Sequence, residues 1–128
     1  MNRIQVDNLH YENISLYITD IDDGIEIAFK GSIDMEFPHL TLDPYFQQVH
    51  EAVLLRKISH VYCNLQELSY INSSGIKSIM KWILDLTGMK DTDNSYHITF
   101  IISNEYKWQS ASFEFVVQMC PGLIHIQK

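Results

Sequence analysis

Residues 69–86 read Ser69-Tyr70-Ile71-Asn72-Ser73-Ser74-Gly75-Ile76-Lys77-Ser78-Ile79-Met80-Lys81-Trp82-Ile83-Leu84-Asp85-Leu86. The pattern predicts the end of a loop followed by a helix. Counted from Ile76 at about 100° per residue, Ile76, Ile79, Met80, Ile83, Leu84 and Leu86 fall in one arc. Lys77, Ser78, Lys81 and Asp85 fall in the opposite one. Such an apolar arc is the face an amphipathic helix lays on a core. Ahead of it, Asn72, Ser73 and Ser74 are all residue types that cap helix starts by accepting from free backbone N–H groups. A helix start also presents unpaired donors and the positive end of a dipole, a favourable place for a phosphate. The two adjacent hydroxyls therefore read as plain caps, as a phosphorylation site, or as both.

Working outward, His60–Leu65 reads as the strand that feeds this loop, with Val61, Cys63 and Leu65 on one face. Asp43-Pro44 reads as an N-cap followed by a first helical proline, opening a helix to about Lys57. Tyr45 or Phe46, Val49, Val53, Leu54 and Ile58 are its inner candidates. Further upstream, Ile14–Ile18 and Ile25–Lys30 alternate around the turn Asp20–Gly24, which predicts a hairpin over residues 13–30 with Gly24 free to take a positive φ. Gly31 ends it, and residues 32–42 form an irregular connection. Residues 1–12 alternate weakly through Ile4, Val6 and Leu9, and read as an edge strand or a loose arm.

Downstream, Gly88 is a helix stop and Asp91–Ser95 a polar turn. Ile98–Ile102 is a continuous apolar run suited to a strand covered on both faces. Glu105–Met119 predicts a third helix with Trp108, Ala111, Phe115 and Val116 inward. Pro121-Gly122 turns into a last strand at Leu123–Ile126. The order β-β-α-β-α-β-α-β gives an α/β fold, a mixed, mostly parallel sheet with helices packed on it, in one domain over residues 1–128.

Composition narrows the function. The chain has 128 residues, 46% of them hydrophobic and 20% charged, as globular chains have. Nine Lys and Arg against sixteen Asp and Glu leave a net charge of −7, so a phosphate backbone meets repulsion and nucleic-acid binding is disfavoured. No apolar run approaches the roughly 20 residues that span a bilayer, and the N-terminus lacks a signal-peptide core. No membrane is expected. Cys63 and Cys120, without a CxxC, read as free, partly buried thiols. Together these features predict a cytoplasmic protein.

The chain resembles the STAS domain of bacterial anti-sigma factor antagonists (anti-anti-sigma factors). The likeness is carried by Asn64-Leu65-Gln66-Glu67-Leu68-Ser69-Tyr70-Ile71-Asn72-Ser73-Ser74-Gly75-Ile76, by Gly31-Ser32-Ile33-Asp34 and by Gly122-Leu123-Ile124. It covers roughly residues 13–127. The resemblance implies a partner-switching module that is not an enzyme and carries no cofactor. Its unphosphorylated form would bind an anti-sigma factor or serine-kinase-type switch protein. Phosphorylation of Ser73, or less favourably Ser74, would abolish binding, and a cognate phosphatase would restore it. A phosphoserine adds nearly two negative charges to a packed interface. Carried over residue by residue, the partner contacts are Asp34, Asn72, Ser73, Ser74, Gly75 and Lys77. Trp82, on the border of the apolar arc, reads either as core or as a further contact. Where the family has Asp before the serine pair, this chain has Asn72. A related phosphoprotein family, whose kinase and phosphatase govern a diguanylate cyclase, shows Asn-Thr-Ser there.

Other chemistries find less support. There is no Gly-x-Ser-x-Gly elbow, no HxxxH or HExxH among the six histidines, and no GxxxxGK[ST] or GxGxxG. The histidines read as surface or satisfied core residues. Three readings remain: the phospho-switched module, a scaffold indifferent to Ser73, and a small enzyme or ligand carrier with a pocket lined by Asp34, Glu36, His39 and Ser73. The first is favoured.

Overall fold

The computed structural model describes residues 2–128. Its elements are β1 (Leu9–Tyr11), β2 (Ile14–Ile21), β3 (Gly24–Ile33), α1 (His39–Arg56), β4 (His60–Ile71), α2 (Ser73–Thr87), β5 (His97–Ile101), α3 (Trp108–Val117) and β6 (Ile124–Gln127). One six-stranded sheet holds the strands side by side in chain order. β1–β2 and β2–β3 pair antiparallel, and β3–β4, β4–β5 and β5–β6 pair parallel. The class is the mixed α/β sheet expected, with one strand more. Within the described residues 2–12 the edge strand, not the loose arm, is what forms. β1 pairs with β2, and Ile4 and Val6 are buried in the core.

One face of the sheet carries the alternating apolar residues Leu16, Ile25, Ile27, Phe29, Val61, Cys63, Leu65, Ile98 and Phe100, all buried. The helices meet this face. Phe46 of α1 lies 6.3 Å from Phe29 and stacks on Trp82 of α2 at 5.0 Å, while Phe113 of α3 lies 4.9 Å from Phe100. Trp82 is therefore core, and its place among the candidate partner contacts is corrected. Its Nε1–H donates to the Tyr96 hydroxyl at 2.7 Å, and that hydroxyl lies 2.7 Å from Nδ1 of His50. Because the Tyr96 oxygen accepts from Trp82, its own proton is free to go to His50. This buried triad locks α1, α2 and the approach to β5 together. Cys63 and Cys120 are free and buried.

The expected boundaries shift for identifiable reasons. α1 begins at His39, with Pro44 inside it rather than first. The helical bond that Pro44 cannot make would have gone to the Leu40 carbonyl, in an exposed turn where water can replace it. Gly24 opens β3 instead of turning, and a side chain there would strike the His60 carbonyl. Gly31 does not end β3. It sits within the strand at φ +112°, where a Cβ would strike the Asn13 carbonyl, and the strand runs on to Ile33.

β4 likewise runs six residues past Leu65. Against β3, Ala28 pairs with Asn64 but Lys30 with Glu67, and Gly31 pairs with Leu68 but Ser32 with Tyr70. Each step inserts an extra β4 residue, a bulge that breaks the strict alternation. Residues Ser69–Ile71, expected as loop, are strand. β5 pairs with β4 only up to Asn64, so the β4 extension needs other partners. The fully buried Gln109 supplies them, its Nε2 donating to the carbonyls of Leu65 at 2.7 Å and Leu68 at 2.8 Å. Its Oε1 accepts from the Ser103 amide, and Trp108 Nε1 donates to the Ser69 carbonyl at 3.2 Å. The start of α3 stands in for a neighbouring strand.

Candidate functional site

The extensions of β3 and β4 end together. Ile33 pairs with Ile71, and the Asn72 amide donates to the Ile33 carbonyl at 2.9 Å. Asp34 and Asn72, the next residue on each strand, thus emerge side by side. Asn72 adopts an extended conformation and caps α2, its Oδ1 accepting from the Gly75 amide at 2.8 Å. Its Nδ2 donates to the Met35 carbonyl at 3.0 Å, tying the β3–α1 loop to the helix start. An aspartate could make the first bond and not the second. That is a structural reason for asparagine at this position.

Ser73, the first residue of α2, is exposed. Ser74 is half-buried and turns into a groove of about 410 Å³ between α1 and α2, lined by His39, Asp43, Ser74, Lys77, Ser78 and Lys81. Lys81 Nζ lies 3.7 Å from Asp43 Oδ2, while the buried Oδ1 of Asp43 has no hydrogen-bond partner among the described residues. The expected ligand pocket of Asp34, Glu36, His39 and Ser73 is not formed as such. Only His39 lines this groove, and Asp34, Glu36 and Ser73 face solvent.

Gly75 is buried, which corrects its assignment as a contact. A Cβ there would lie 2.7 Å from Ile71 Cγ1 and 2.8 Å from Ile33 Cγ2. Its role is to let the helix start press against the strand ends. The buried face of α2 is Gly75, Ser78, Ile79, Trp82, Ile83 and Leu86, rotated from the expected arc. Ser78 turns inward, and Leu84 is exposed.

Of the predicted site residues, Asp34, Asn72, Ser73, Ser74 and Lys77 come together at this end of the sheet. Three apolar side chains joined to the same segments were missed. Phe37 and Leu40 flank the start of α1, Tyr70 stands two residues before Asn72, and all three are more than half exposed (61%, 69% and 52%). An exposed aromatic on a strand presumed to be loop gives no local signal of its own. Their exposure adds apolar surface to the segments that meet at this end of the sheet.

No family model matches the chain, and no curated protein matches it. Solved structures do. An anti-sigma factor antagonist from Mycobacterium paratuberculosis matches with a TM-score of 0.57 at 15% identity, over 88% of this chain and 85% of that one. An uncharacterised protein with a SpoIIAA-like fold from Shewanella loihica matches with a TM-score of 0.51 at 16% identity, over 94% and 89%. At this identity the likeness establishes the architecture: a SpoIIAA-like, STAS-type fold. Among the described residues, no helix is long and apolar enough to cross a membrane.

Proposed function

We propose that this chain is a regulatory protein-binding module of a bacterial partner-switching pathway. It docks an anti-sigma, serine-kinase-type protein on the surface around Ser73, and phosphorylation of Ser73 releases that partner until a cognate phosphatase acts. The observation that carries this reading is an exposed serine at the first residue of a capped helix, at one end of the sheet with exposed Phe37, Leu40 and Tyr70. Apolar rings and aliphatic side chains supply docking area. A phosphate of nearly two charges on Ser73, next to the meeting strand ends that lead to Asp34 and Asn72, would oppose an acidic partner surface. The first-turn amides of α2 and Lys77, one turn on, would hold it locally.

A second reading is favoured by Asn72. Its amide is committed to Met35 and Gly75, which supports a scaffold that assembles partners without a phosphate. Peptide mass spectrometry of the protein isolated from its native cells, with and without phosphatase treatment, separates the two. Phosphate on Ser73, with partner binding lost in Ser73→Asp and kept in Ser73→Ala, is the expected result. An unmodified Ser73 across growth and stress conditions, with binding indifferent to Ser73→Asp, would establish the scaffold instead.

A further inference from the structure

Away from the helices, β4, β5 and β6 each place one histidine on the opposite face of the sheet. His60 pairs with His97 in the β4–β5 register, and their rings lie 5.7 Å apart. The rings of His97 and His125 are 5.2 Å apart and within 20° of parallel, with Nδ1 of His97 2.9 Å from Nε2 of His125. That centroid spacing matches the nitrogen spacing plus the two ring radii, so the nitrogens face each other head-on. Two lone pairs cannot meet in this way, and one ring must donate its N–H to the other. Lone pairs aimed at each other at this distance do not converge on a cation. Consistently, no group of three or more His, Cys, Asp or Glu among the described residues is placed to hold a metal.

The geometry points to a one-proton dyad: His97 and His125 share a single bridging proton, take up one further proton as a unit, and resist a second. In the neutral pair the donor ring keeps a bare outer nitrogen. A proton from solvent adds there, giving an imidazolium that donates to a neutral imidazole, a charge-assisted bond stronger than the one it replaces. After that, the only lone pair left is the one in the bridge. Protonating it breaks the N–H···N bond and sets two cations side by side. The face thus takes up one positive charge with the bond kept, and a second only with its loss.

The surroundings keep the device on these two rings. Nε2 of His60 lies 2.6 Å from Thr99 Oγ1, and its ring stacks on Tyr62 at 4.2 Å. Burial, then the nearby His97 and His125, hold the His60 pKa below its usual value, against the opposing pull of Asp23. Tyr62 donates to Asp23 at 2.7 Å. Glu26, opposite Tyr62 on β3, adds an acidic group one strand further out. Among cations, Lys30 pairs with Glu67, Lys128 with Glu114, and Lys57 lines a groove with Asp93.

A pH titration of the full chain, following the histidine Cε1–H signals by NMR, tests this. His97 and His125 are expected to report the same two steps, with midpoints split by more than about one pH unit. In His125→Gln, His97 should revert to a single step. Independent single-step curves for the two rings in the unaltered protein would overturn the dyad. So would a His97 curve unchanged by His125→Gln. The unaltered protein alone decides the matter should the variant fail to fold.

Discussion

The Asn72 side chain holds the Met35 carbonyl at 3.0 Å with the same amide group whose oxygen caps Gly75. Asp is as good an N-cap as Asn and suits the helix dipole better. On local grounds Asn72→Asp should therefore be neutral or stabilising. The Met35 bond reverses that expectation, because a carboxylate would face a carbonyl oxygen. Denaturant melts should show Asn72→Asp destabilised by about 1–3 kcal/mol, the cost of a partly buried polar group left unpaired.

Gly75→Ala sets helix propensity against packing. Alanine favours the helix by about 1 kcal/mol. Its methyl would press on Ile33 and Ile71 at under 3 Å, and overpacking costs about 1–3 kcal/mol. Net destabilisation by thermal melting is the expected outcome. Changed hydrogen exchange at Asn72–Ile76 should accompany it.

Gln109→Leu keeps much of the volume and removes three hydrogen bonds, to Leu65, Leu68 and Ser103. Two buried carbonyls and an amide lose their partner. A loss of about 3 kcal/mol or more follows if each costs at least about 1 kcal/mol. Urea titration of the variant measures it, and exchange of the residue 66–71 amides reports whether the β4 extension loosens.

His50 predicts a pH dependence of stability. Burial lowers its folded pKa, against the opposing pull of Asp85 and then Glu51. Between that lowered value and the unfolded value of about 6.5, the unfolded chain binds more protons, so stability falls with falling pH through this window. Below the folded pKa the loss levels off. His60 contributes in the same direction. Denaturant midpoints measured between pH 7.5 and 5 should decline in the unaltered protein and less steeply in His50→Gln.

The alternating strands β2 and β3, the helix after Asn72 and the order of elements were legible because each follows a local period. β4 was not legible past Leu65, because its two bulges replace alternation with Leu65, Leu68 and Ile71 spaced three apart. The inner face of α3 was misjudged for a related reason. Gln109, Phe113 and Val116 face inward while Ala111 and Phe115 are exposed, and the inward Gln109 serves backbone carbonyls, a role that no apolar period announces. Trp82 was ambiguous by pattern and is settled by Phe46 and Tyr96, which lie far from it in sequence. The serine pair and Asn72 stood out in the sequence. The exposure of Phe37, Leu40 and Tyr70 on the adjoining segments followed no local period and did not.

The side-by-side strand order also sets a timetable. Each strand pairs with the one made just before it, so a chain emerging from its N-terminus can add every strand to an edge already present. Once residue 87 has emerged, β1 to β4, α1 and α2 are all available, and Ser73 can already stand at its helix start. The Gln109 brace on β4 arrives some twenty residues later. A nascent chain would thus display the serine end of the sheet before that end is rigid.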